Sequence, residues 1–298
     1  MYSQRFEPMS VGQILDGAFK LYQRNFVRFI AIVAVAYVPV GLVSSMGKSI
    51  AGIGGPQTSF MVNSSSDSDS YSSDGTVYSR GSERSDPGRV ILGLLIFIIG
   101  MILAVFAYYL CAGALTKSIS EAYLGNNVTV GEAYEFVWPK LWSLIGATLL
   151  VGAVVMLGMF LFIVPGIIFS LWYALTAEVV VLENRRAIEG MTRSKSLTSG
   201  NLGKVFVVGL VAGLVTLVIV MVTSWPIGMI AGMLAKTSPT VSTLLIEAGS
   251  VAGNVLALPI TTAASILLYY DLRIRKEGFD LEMLARDLHT PKDKNQPG

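Results

Sequence analysis

Residues 205–235 read VFVVGLVAGLVTLVIVMVTSWPIGMIAGMLA, 31 positions without a charged side chain. A soluble protein has no reason to keep so long a run free of charge, whereas in hydrocarbon each ionisable group is costly. As one straight helix the run would extend about 46 Å at ~1.5 Å per residue, against a hydrocarbon thickness of ~30 Å. Trp225-Pro226 offers a break, because proline removes a ladder donor and tryptophan favours the interface. The expected arrangement is a span over 205–224 and a short interfacial or re-entrant piece over 226–236.

Five more runs of spanning length lie on either side. They cover 29–46, 90–116, 141–164, 166–182 and 240–270, with Pro165-Gly166 separating the third span from the fourth. The fold class that follows is all-α: a polytopic membrane protein with six transmembrane helices in three hairpins. Composition agrees. Of 298 residues, 53% are hydrophobic and 14% charged, and the mean hydropathy is +0.62. A soluble domain carries about 25% charge. A soluble enzyme, a nucleic-acid binder and a disordered chain are excluded for the molecule as a whole. The net charge of +2 is too small to imply a nucleic-acid partner.

The distribution of charge sets the expected orientation. With six spans, one side holds 17 lysines and arginines and the other holds 5. The richer side faces the cytoplasm, so both termini are expected there and the protein is expected in the plasma (inner) membrane. About 25 mostly polar residues precede the first apolar run, which therefore reads as an uncleaved span.

Short amphipathic segments precede the hairpins. Ser10-Val11-Gly12-Gln13 and Thr129-Val130-Gly131-Glu132 are both capping boxes, a hydroxyl followed three residues later by Gln or Glu. Apolar stripes follow each at helical spacing, too short to span, which predicts interfacial helices over 10–26 and 129–140. A third is expected over 184–199, with Asn184 as its cap. Residues 47–88 form an external loop with eleven serines between Ser59 and Ser85, too polar to repay ordering. Its Asp67-Ser68-Asp69 fails as a calcium loop, because Tyr71 and Ser72 occupy positions that need a ligand and a glycine. Residues 271–298 are a cytoplasmic tail.

Chemistry has little to draw on. Cys111 and His289 are the only residues of their types, so no intramolecular disulfide can form, and zinc or nucleophile–histidine sites lack donors. No catalytic, cofactor-binding or metal-binding residue is assigned, and no cofactor is expected. Glu178 and Asn254 are the candidate intramembrane polar groups; Glu178 is close enough to the cytoplasmic end to snorkel or to pair with Arg185 or Arg186. Arg185, Arg186, Arg193 and Lys195 are candidate contacts for anionic lipid. Gly209/Gly213, Gly228/Gly232 and Gly249/Gly253 repeat small residues at i and i+4, so the fifth and sixth spans are expected to touch along them.

Four stretches carry a family resemblance: Met9–Phe26 (MSVGQILDGAFKLYQRNF), Gly113–Trp142 (GALTKSISEAYLGNNVTVGEAYEFVWPKLW), Val164–Gly200 (VPGIIFSLWYALTAEVVVLENRRAIEGMTRSKSLTSG) and Leu267–Leu284 (LLYYDLRIRKEGFDLEML). They resemble the bacterial membrane-domain family named after the membrane part of glycerophosphoryl diester phosphodiesterases. In proteins of that name catalysis belongs to a separate soluble barrel with histidine and acidic metal ligands, for which this chain has neither room nor residues. The resemblance thus implies a membrane module and no enzyme activity. The expected function is a non-catalytic module, a scaffold or accessory subunit that organises lipid or partner proteins, possible homo-oligomers included. Two alternatives stand beside it: a transporter or permease component, and an intramembrane lipid-processing enzyme for which Glu183 with Asp271 is the available acid pair.

Overall fold

The structure, a computed structural model, describes residues 8–51, 87–235 and 237–289. Most of the serine-rich loop (52–86), Lys236 and the last nine residues of the tail lie outside the described residues. Helix accounts for 89% of what is described, and no strand occurs there. In chain order the helices are α1 (Val11–Arg24), α2 (Phe26–Ala51), α3 (Pro87–Tyr123), α4 (Val130–Val137), α5 (Leu141–Leu161), α6 (Ile163–Trp172), α7 (Thr176–Leu182), α8 (Ala187–Thr198), α9 (Leu202–Leu234) and α10 (Pro239–His289). Six segments are long and apolar enough to cross a membrane: α2, α3, α4 with α5, α6 with α7, α9, and α10. The chain is a multi-pass membrane protein.

Both capping boxes are present as hydrogen bonds. Ser10 Oγ accepts from the Gln13 amide at 3.3 Å while Gln13 Oε1 accepts from the Ser10 amide at 2.7 Å; Thr129 and Glu132 repeat this at 3.4 and 2.8 Å. The third copy differs. α8 begins at Ala187, with Arg186 in the cap position and no side-chain bond to the helix. Asn184 has φ +55°, a left-handed turn that asparagine tolerates, and it follows the end of α7 instead of opening α8.

The chain divides into two compact units. The first comprises residues 1–36, 108–219 and 255–298. Its core is apolar and tight, with Ile14, Phe29, Leu115, Ile119, Leu144, Leu197 and Tyr269 fully buried. α1 buries Ile14, Ala18 and Tyr22, and leaves Asp16 and Lys20 outside as an ion pair at 2.7 Å. α4 is tied to α2 by Tyr134, whose hydroxyl donates to the Ile32 carbonyl at 2.6 Å. The second unit, 37–107 with 220–254, packs through glycine. A Cβ on Gly47 would lie 2.8 Å from the Phe97 amide nitrogen, and one on Gly253 3.0 Å from Thr223 Oγ1.

Two expected boundaries move. α9 runs unbroken through Pro226 for 33 residues, so the separate re-entrant piece over 226–236 does not exist. Proline removes one donor there, while ending the helix would orphan several backbone groups at once in a medium without water. The turn between α5 and α6 is also not at Pro165-Gly166. It falls at Phe162, which is extended (φ −158°, ψ 148°), and Pro165 sits in the first turn of α6, where no donor is needed.

Of the three glycine pairs, one lies against a neighbouring helix as expected. Gly249 and Gly253 pack against α9, with the nearest atoms of Ile227 and Thr223 at 3.3 and 3.0 Å from an added Cβ. Gly209, Gly213, Gly228 and Gly232 meet nothing within 4 Å, so they do not bring the fifth and sixth spans together. Their faces are open. Tighter than any of these is the α5–α6 hairpin, where a Cβ on Gly166 would lie 2.2 Å from Met159 Cγ and 2.8 Å from its amide nitrogen. Gly166→Leu is therefore expected to destabilise the protein by about 1–3 kcal/mol or more, and Gly209→Leu to stay within about 0.5 kcal/mol. Unfolding midpoints in detergent measure both, and equal losses in the two variants would contradict the packing.

Candidate functional site

Among the polar residues of the first unit, one chamber and two ion-pair groups hold the buried and half-buried acids Glu178, Asp271 and Glu183. The chamber, about 170 Å³, is lined by Tyr108, Ala112, Leu115 and Thr116 of α3, Ala177 and Glu178 of α7, and Leu258, Thr261, Thr262 and Ser265 of α10. Glu178 stands in the first turn of α7, which restarts after an irregular turn at 173–175. That restart turns the carboxylate inward beside Val179, Val180 and Val181, all buried. Glu178 is 7% exposed; its carboxylate is hydrogen-bonded to Ser265 and to its own backbone, and Oε2 has no partner. The expected snorkelling or pairing with Arg185 or Arg186 does not occur. Arg185 turns to Glu183 at 3.6 Å, and Arg186 is exposed.

The three chamber threonines share one feature. Thr116 donates to the Ala112 carbonyl, and Thr261 and Thr262 both donate to the Leu258 carbonyl, each at 2.9 Å. A hydroxyl has one proton. With that proton committed to the backbone, each of these oxygens can only accept.

Asp271 anchors the first ion-pair group. Its side chain is fully buried, yet Oδ1 accepts from the Met9 amide at 2.6 Å, and Oδ2 accepts from Lys204 and, at 3.0 Å, from Arg275. Lys204 and Arg275 also donate to the Met9 carbonyl. One carboxylate thus holds the lead-in to α1 against α9 and α10. Glu183 centres the second group, accepting from Arg193 at 3.1 Å and from the Tyr269 hydroxyl at 3.0 Å. Arg193 reaches on to Glu277, which Arg273 also holds at 2.7 Å. Burial works against the Arg193 charge, but its hydrogen bonds to Glu277 and Glu183 carry its pKa above the usual guanidinium value. Glu183 and Asp271, the acid pair of the enzyme alternative, are therefore parts of separate groups.

The other candidate residues divide. Of the four basic residues assigned to lipid, Arg193 is engaged as above and Lys195 lies over the Trp172 ring at 4.3 Å; Arg185 and Arg186 are exposed. Asn254 does not line the chamber and donates to the Ser250 carbonyl of its own helix at 2.8 Å. Sequence reading missed Thr116 and Ser265, for which the only signal was a hydroxyl in an apolar run, and missed Asp271 as an anchor.

A family model described as a domain of unknown function, DUF7847, matches residues 84–272, well over half of the chain. The chain belongs to the DUF7847 family. No curated protein and no solved structure gives a significant match. The DUF7847 stretch contains every chamber-lining residue together with Glu183, Lys204 and Asp271, and it leaves Met9 and α1 outside.

Removing one member of a buried ion pair strands the other, at about 3–5 kcal/mol. Asp271→Ala is accordingly expected to lower stability on that scale and to free the N-terminal segment to protease before the rest unfolds. Unfolding midpoints and N-terminal cleavage rates measure this, and an unchanged cleavage rate would contradict the anchoring role.

Proposed function

We propose that this chain is a non-catalytic membrane module, a scaffold or accessory subunit of the plasma membrane that organises anionic lipid around its basic face. One observation carries the reading. Trp138, Trp142 and Ile188 are 67%, 72% and 71% exposed, beside the exposed Arg185 and Arg186. Ser143, next to Trp142, donates to the Arg185 carbonyl at 3.3 Å, so tryptophan and arginine belong to one band. Tryptophan at head-group depth and arginine outside it are the pair that an anionic leaflet attracts. A groove on α8 lined by Arg185, Ile188, Glu189, Thr192, Arg193 and Ser196 continues the band with a volume of about 370 Å³. The engagement of Glu183 and Asp271 in ion pairs supports a structural role for those acids over the lipid-enzyme alternative.

The lipid role is tested by mass spectrometry of lipid retained after purification. With ~1 kcal/mol per arginine near the surface, Arg185→Gln and Arg186→Gln should each lower retention of phosphatidylglycerol about fivefold. Unaltered retention in the double variant would remove this reading. Orientation is tested separately: tags on both ends should be shielded in intact cells, and labelling of either from outside would reverse the assignment. A second reading, a permease component, is favoured by the Glu178 chamber.

A further inference from the structure

A carboxylate buried in hydrocarbon needs compensation, and the two ion-pair groups show how this chain supplies it elsewhere. Asp271 has two cations and an amide; Glu183 has Arg193, Arg185 and a tyrosine hydroxyl. Glu178 is buried to a similar degree and has one hydroxyl, its own backbone, and an oxygen without a partner. The walls around it offer the threonine oxygens whose protons are already committed to backbone carbonyls. With Glu178 ionised, the chamber presents one negative charge and three threonine oxygens that can only accept, beside the Tyr108 and Ser265 hydroxyls, and the carboxylate with those oxygens is a donor set that suits a hard cation. A single carboxylate balances a single positive charge. A divalent ion would keep a net charge in low dielectric, and among the described residues no group of three or more His, Cys, Asp or Glu stands ready to hold one. At about 170 Å³ the space exceeds one ion and admits a few waters with it, each taking roughly 30 Å³.

We propose that the chamber is a binding site for one small monovalent cation, sodium or potassium, held by Glu178 Oε2 with the hydroxyl oxygens of Thr116, Thr261 and Thr262. The site does not depend on the lipid reading, and it names the solute class for the permease reading should transport be found.

The test is thermal unfolding of the purified full-length protein, followed by tryptophan fluorescence, in sodium, potassium or choline chloride at equal ionic strength. An ion that binds only the folded state raises its midpoint saturably. Sodium or potassium should raise the midpoint where choline does not, and Glu178→Gln should abolish the difference. Thr261→Val should weaken half-saturation roughly tenfold, the scale of one lost polar contact. It also keeps the question answerable if Glu178→Gln fails to fold. Equal protection by choline, an ion-specific rise that survives Glu178→Gln, or a response to pH alone would each overturn the site. Lipid retention measured on the same preparations reports the other reading independently.

Discussion

A backbone amide in hydrocarbon has no water to turn to, and the architecture follows from that constraint. Each backbone polar group there must be satisfied by the chain, which leaves helix as the spanning structure for this sequence. Pro39, Pro226 and Pro259 lie inside α2, α9 and α10, and none of them ends its helix. In water a proline in mid-helix invites a break because both new ends can be solvated. Here the break would expose more donors and acceptors than the proline removes. Where the chain does turn inside an apolar stretch, at Phe162, the junction is bridged. The Phe162 amide donates to the Gly158 carbonyl at 3.0 Å, and the Gly166 amide donates to the Phe162 carbonyl at 3.4 Å.

Close approach follows a different logic from spacing. Gly209/Gly213 and Gly249/Gly253 are the same motif in sequence, yet only the second pair has a neighbour. The motif states that a helix face is smooth; it does not state what lies opposite. Gly158 and Gly166 escape any within-helix pattern because they sit on different helices, across a turn. There each contributes one smooth surface to the same contact: a Cβ on Gly158 would lie 3.0 Å from Gly166 Cα.

This separates what was legible in the sequence from what was not. Six spans and two capping boxes were legible because each depends on residues within one turn or one run: hydrophobic length in the first case, an oxygen three residues from an amide in the second. Asn184 misled for a related reason. Asparagine serves both as a helix cap and as a left-handed terminator, and only the path of the chain after α7 selects between them. The fate of the charges was not legible at all. Tyr269 and Asp271 are two positions apart on α10, yet the first belongs to the Glu183 group and the second anchors Met9, 262 positions away.

The three buried acids then read as one comparison. Burial costs a carboxylate its hydration whatever its neighbours are, and the protein returns that energy only through charges and donors placed within reach. Cations are not scarce near Glu178 in sequence: Arg185 and Arg186 follow within eight positions. α7 turns Glu178 into the chamber, whereas the two arginines lie beyond its end, at the surface. The missing compensation is therefore a matter of placement, set by the same turn at 173–175 that builds the chamber wall. A fold that neutralises Asp271 with two cations and leaves Glu178 with one hydroxyl and its own backbone has left the remaining charge to be met from within the cavity.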